Sequence, residues 1–207
     1  MRLYYTIFRN GGQSEREDIA HTSCTIKRMK LYHTGFLVIR DPDIHYGRKN
    51  ADFGQGFYLS PEKEFACRWA RERKGQETVL NEYELDTEGL KIKRFVRDEE
   101  WFSYIFNNRR AKEDSYSEYD VIVGPIANDT LYDTWGILTS GLIPDQKALE
   151  LLQLGPEYTQ WVIKSEKAKE KLQWCSSKAM SSEEIAGYRQ TVAEEEKEYQ
   201  RLFTERL

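Results

Sequence analysis

Residues 31–70, LYHTGFLVIRDPDIHYGRKNADFGQGFYLSPEKEFACRWA, constrain the fold of this chain more than any other stretch. They open with a short apolar strand carrying a histidine, Leu31-Tyr32-His33, and continue into a polar loop with Arg48, Lys49 and Asn50. A glycine-framed strand, GQGFYLS over 54–60, comes next. A helix is expected from Pro61, where a fixed φ and a missing N–H are tolerated. Neighbouring strand residues point to opposite faces, so Phe57 and Leu59 share one face and Tyr58 and Ser60 the other. With Phe57 and Leu59 on the core, Tyr58 lines whatever lies across the sheet. His33 falls with Leu31, opposite Tyr32. Gly54 and Gly56 let a backbone or a ligand come close.

Composition narrows the class. A chain of 207 residues allows one well-buried domain with appendages. Thirteen tyrosines and five tryptophans argue against disorder, which is poor in aromatics. A net charge of −4 gives no general attraction to nucleic acid or anionic membranes. The basic residues Lys91, Lys93, Arg94 and Arg97 form a local exception. The three cysteines, Cys24, Cys67 and Cys175, are scattered and odd in number, which fits free thiols in a reducing cytoplasm. The three histidines, His21, His33 and His45, have no zinc spacing. No apolar run approaches the ~20 residues of a membrane span, and no secretory signal opens the chain.

Residues 1–28 differ from the remainder of the chain and are expected to be an N-terminal extension or an extra edge strand. Further on, 61–75 reads as a helix with Gly75 as its C-terminal cap, 78–85 and 90–95 as strands, and 99–107 as a helix capped by Asp98. The run YDVIVGPI over 119–126 reads as a buried central strand. A helix is expected over 128–138, another over 144–152, a strand over 158–163 and a short helix capped by Ser165. No regular βαβ period appears, which favours α+β. Ser181 and Glu184 form a capping-box pattern before one long amphipathic helix in 176–207. That helix either packs on its own domain or serves as a partner helix. Its apolar pattern fails in the middle, which favours packing.

The ordered set of a strand histidine, a loop, Gly-x-Gly-Phe-Tyr and a helix resembles the NAD-binding core of diphtheria-toxin-type ADP-ribosyltransferases and poly(ADP-ribose) polymerases. It is more closely similar to a bacterial family of uncharacterised proteins in that clan. The matching pieces are Tyr32-His33-Thr34, RKNADFGQGFY over 48–58 and Gly124-Pro125-Ile126-Ala127-Asn128-Asp129. They span most of the chain, roughly 30–174. The resemblance implies an ADP-ribosyltransferase-like split β-sheet core around an NAD cleft, in residues 29–175, with peripheral helices. It also implies NAD as substrate, with no metal.

By the same resemblance, His33 holds the adenosine ribose through a hydrogen bond, and the backbone of Thr34 pairs with the nicotinamide amide. Many relatives have glycine at that position, so the threonine adds bulk. Tyr58 stacks on nicotinamide, and Gly56 belongs to the same binding strand. Arg48 can fork onto the pyrophosphate. Gln160 stands where the clan usually has a glutamate. A glutamine can still bond the ribose, but it supplies neither negative charge nor a general base. Single-unit transfer is therefore expected rather than chain elongation. Asp52-Phe53-Gly54 spells a kinase triplet without its companions, so a kinase is rejected. Asn128 and Asp129 read as caps of the next helix.

Two functions from different classes fit this pattern. One is a mono-ADP-ribosyltransferase or NAD glycohydrolase, in a toxin–antitoxin setting by family analogy. Its acceptor is a protein, a nucleic acid or water. Its partners are an antitoxin, or a second copy through the C-terminal helix. The other is a catalytically inert module of that fold that binds a nucleotide or a protein partner.

Overall fold

In a computed structural model, residues 27–127, 144, 150–151, 154 and 157–206 are described. The fold is α+β, with two small sheets. The first has the order β1 (Arg28–Gly35), β3 (Val79–Asp86) and β7 (Leu172–Ala179), all antiparallel. The second has the order β2 (Phe57–Leu59), β6 (Thr159–Ile163), β5 (Val121–Pro125) and β4 (Ile92–Arg94). Only its β4–β5 pair is parallel. One bridge ties the sheets together. Tyr32 N donates to Ser60 O at 2.8 Å, and Ser60 N donates to Tyr32 O at 2.9 Å.

The alternation of each strand builds the core. Leu31, Tyr83 and Leu85 of the first sheet meet Phe57, Leu59, Trp161 and Ile163 of the second. Phe57 and Leu59 are thus the core face, and Tyr58 packs against a separate cluster on the other side of its sheet. β5 is buried on both faces. Val121 and Val123 join the inter-sheet core, and Ile122 joins the opposite cluster. A continuous apolar run is what such a strand requires, and each of these side chains contributes about 1.5–3 kcal/mol by leaving water.

Among the described residues four helices surround the sheets: α1 (Lys63–Cys67), α2 (Glu99–Arg109), α3 (Glu166–Glu170) and α4 (Ser182–Arg206). Three start as their sequences predict. The Asp98 carboxylate accepts from Trp101 N at 2.9 Å, and Ser165 Oγ accepts from Ala168 N at 3.1 Å. Ser181 and Glu184 close a reciprocal box, with Ser181 N to Glu184 Oε2 at 3.0 Å and Glu184 N to Ser181 Oγ at 3.2 Å. α4 lies on its own fold. Ile185, Tyr199 and Phe203 are buried, the last two in the cluster with Phe53 and Trp101.

Several expectations give way. The strand over 54–60 contracts to β2, and the helix over 61–75 contracts to α1. Arg71 Nη1 donates to Arg68 O and Ala70 O, 2.9 Å each, so those carbonyls do not go on to a further helical turn. Gly75 is the positive-φ residue of a tight turn closed by Gln76 N to Arg73 O, not a helix cap. β7 is an additional strand and crosses the expected boundary at 175/176. The expected extension over 1–28, apart from Lys27 and Arg28, lies outside the described residues. So do Asn128, Asp129 and nearly all of the helices expected over 128–138 and 144–152. No helix among the described residues is long and apolar enough to cross a membrane.

Candidate functional site

A cavity of roughly 630 Å³ opens where β1 bridges to the end of β2, a volume within the range of small-molecule sites. His33 and Thr34 reach it from β1, Arg48 from the loop, Tyr58 from β2 and Gln160 from β6. Five of the six residues singled out in the sequence therefore line one space. Gly56 is the exception, and it belongs to the strand contact rather than to the cavity lining. A Cβ at Gly56 would stand 2.5 Å from Val162 Cγ1 and 2.7 Å from Ile163 O. The missing side chain lets the chain approach β6.

The His33 ring is fixed by the strand beside it. Its Nδ1 lies 2.8 Å from the Tyr58 carbonyl oxygen. A carbonyl only accepts, so Nδ1 carries the proton and Nε2 of the neutral ring is an acceptor. Burial lowers the pKa of His33, against the raising effect of the Tyr58 carbonyl, which keeps the ring neutral at pH 7. The ring packs at 4.8 Å on Phe57. Gly35 leaves room for Nε2, since a Cβ there would come within 3.3 Å of it.

Tyr58 has its hydroxyl occupied. It accepts from Phe53 N at 3.0 Å and donates to Gly54 O at 2.6 Å. Burial, and then the nearby Asp52 carboxylate, push its pKa well above that of an ordinary phenol. The hydroxyl thus holds the 52–54 loop, and the ring is the part available to the cavity. Other groups hold the same loop. Lys164 Nζ donates to Phe53 O at 2.6 Å and pairs with Asp114 at 2.7 Å. Arg109 pairs with Asp52 at 2.6 Å, with both side chains largely buried. Asn108 Nδ2 donates to Asp52 O at 3.0 Å. The kinase-like triplet is therefore a structural loop. Phe53 is fully buried, and Gly54 takes φ +72°.

Gln160 lies opposite Gly124 in the β5–β6 register and shares the Tyr58 face through the Tyr58–Val162 pair. Its Oε1 is buried with no hydrogen-bond partner among the described residues, and the same holds for Thr34 Oγ1. Buried polar atoms are normally satisfied. Two such oxygens sit on residues that line one cavity.

The cavity also has walls that the sequence reading missed. The Tyr158 ring stacks on Phe65 with centroids 4.4 Å apart, and Arg68 Cζ lies 4.5 Å from the Tyr158 centroid. Arg68 pairs with Glu195 of α4. Asp52, Trp69 and Glu196 line the cavity as well. Asp52 adjoins the loop already singled out and was within reach of the sequence. The Arg68–Glu195 pair joins positions 127 apart and had no local signal.

Residues 29–174 match the family described as "Protein of unknown function (DUF3990)", so the chain belongs to that family. No curated protein matches the chain.

Proposed function

We propose that this member of the DUF3990 family takes NAD into the cavity between its sheets, breaks the nicotinamide–ribose bond, and passes one ADP-ribose unit to an acceptor or to water. The observation that carries this reading is the meeting of His33, Thr34, Arg48, Tyr58 and Gln160 on one cavity, with two orphaned side-chain oxygens among them. Two small sheets joined at one bridge support an ADP-ribosyltransferase-like core. In this reading the acceptor nitrogen Nε2 of His33 takes a hydrogen bond from a ribose hydroxyl. The Tyr58 ring covers nicotinamide and excludes water. Arg48, at the exposed edge, faces the pyrophosphate. Gln160 Oε1 accepts from the nicotinamide ribose and orients the bond that breaks.

The test is nicotinamide release, followed by chromatography. Gln160→Ala lowers turnover roughly three- to tenfold, the worth of one neutral hydrogen bond. His33→Ala raises KM as well, because a contact to the distant ribose anchors substrate. Absence of any melting shift at millimolar NAD refutes the reading. NAD binding without release from any variant selects the second reading, an inert nucleotide- or protein-binding module. The observation that favours that reading is the neutral amide of Gln160 at this position.

A further inference from the structure

We propose that Arg68 and the Tyr158 hydroxyl form a phosphate seat at one end of the cavity, and that Glu195 of α4 is its exchangeable internal occupant. Arg68 is only 11 % exposed and stacks on the Tyr158 ring. A guanidinium this buried needs a counter-charge, and Glu195 Oε2 supplies it. The Tyr158 hydroxyl lies 3.2 Å from Glu195 Oε1. A carboxylate accepts only, so the hydroxyl is the donor. Two donors from separate elements, a cation and a phenol, thus converge on one carboxylate, and both line the cavity. That is the donor set an anion site requires, and a guanidinium fork suits phosphate oxygens.

The occupant can leave without unfolding anything. Arg68 is held in place by its stacking, whereas the Glu195 side chain is 34 % exposed. α4 is anchored on either side of it, by Ile185 before and by Tyr199 and Phe203 after. Rotation about the side-chain torsions of Glu195 therefore frees the seat while the helix stays docked. α4 also lies beyond the family-matched span, which ends at residue 174. The choice of phosphate rests on the nucleotide reading of the cavity; the anion seat itself does not.

Binding is measured by calorimetry with ADP, with a 5′-phosphorylated oligonucleotide and with nicotinamide. The proteins are the full chain, Glu195→Gln, Glu196→Gln, Arg68→Gln and the Glu195→Gln/Arg68→Gln double variant. Glu195→Gln is expected to tighten a phosphate ligand about three- to fivefold, the scale of a partly exposed ion pair, and the gain vanishes in the double variant. A gain with ADP assigns the seat to the donor's own phosphate. A gain confined to the oligonucleotide assigns it to a phosphorylated acceptor. Three results overturn the proposal: no gain in folded Glu195→Gln, a gain that survives Arg68→Gln, or an equal gain in Glu196→Gln, which would mark general charge repulsion. If Glu195→Gln does not fold, Glu195→Asp, which draws the carboxylate back by one methylene, must show a gain or the seat is refuted. Nicotinamide carries no phosphate, so failure of nicotinamide to bind counts against the NAD reading and leaves the seat standing.

Discussion

Tyr58→Phe separates the two jobs of that residue. The substitution keeps the ring that faces the cavity and removes the oxygen that holds the loop. It leaves the Phe53 N–H and the Gly54 carbonyl without the partner they have at 3.0 and 2.6 Å. Both residues are buried, so water does not replace the lost oxygen. Each buried unsatisfied group costs about 1–3 kcal/mol, and the pair together about 2–4 kcal/mol once relaxation is allowed. For a domain of this size that lowers Tm by roughly 5–15 °C. The loop itself stays folded, because Lys164 on Phe53 O and Asn108 on Asp52 O are untouched. Nicotinamide binding by the folded variant should therefore persist, whereas Tyr58→Ala should lose it. Thermal and urea melts measure the first effect, and a ligand-induced shift measures the second. A Tyr58→Phe protein that melts within about 1 °C of the parent refutes the assignment of the hydroxyl to the loop.

Three further perturbations test the frame around the cavity. Asp52→Asn removes one carboxylate partner from the buried Arg109 guanidinium and should lower stability in urea unfolding by at most about 3–5 kcal/mol; Asp52→Asn/Arg109→Met should recover part of that loss. Gly56→Ala drives a methyl into Val162 and the Ile163 carbonyl and should destabilise by about 1–3 kcal/mol or more, read as a lower urea midpoint. His33 has its pKa lowered by burial, so the unfolded chain takes up the proton first as pH falls below 6.5. Its share of stability is present above that value and is lost on acidification towards the folded pKa, with a slope of at most about 1.4 kcal/mol per pH unit. His33→Gln should flatten unfolding free energy against pH as pH falls below 6.5, and an unchanged slope would show that His33 is not the group responsible.

How much the sequence revealed depended on the range of the physical signal. Capping is local, so Asp98, Ser165 and the Ser181–Glu184 box could be read directly, and each makes its bond. Burial on both faces leaves an unbroken apolar run, so β5 was legible as a central strand. β7 carried no such run. It is an edge strand with mostly exposed or half-buried positions, LQWCSSKA, and its pairing with β3 is set by tertiary contact. Two buried positions of α2 were not legible for a similar reason. Tyr104 and Asn108 are buried beside Trp101 and Ile105 because Tyr104 bonds Asp114 and Asn108 bonds Asp52, partners that helical periodicity does not contain. Within the site, strand alternation placed Tyr58 away from the core face, whereas the face that Gln160 shares with it follows from the β2–β6 register. Alternation could not show that Gly56 serves a strand contact, or that α4 would close one wall.

The charge around Gln160 bears on how the proposed chemistry would run. Bond cleavage at the nicotinamide ribose builds positive charge, and a nearby carboxylate would stabilise it. Among the described residues three carboxylates line the cavity: Asp52, Glu195 and Glu196. Asp52 is matched by Arg109 within a largely buried pair, and Glu195 by Arg68. These two carboxylates are offset in part by their cations, and Glu196 is exposed, where solvent screens its charge. Next to the bond that breaks, the chain then presents the Gln160 oxygen, the Tyr58 ring face and backbone carbonyls. Such dipoles orient substrate well and stabilise a cation less than a full charge does. Gln160→Glu would place one near the start of β6, opposite Gly124. If charge limits the reaction, that variant releases nicotinamide faster than the parent. If acceptor delivery limits it, the rate stays the same while Gln160→Ala still falls. A parent and a Gln160→Ala protein of equal rate would remove Gln160 from the chemistry altogether.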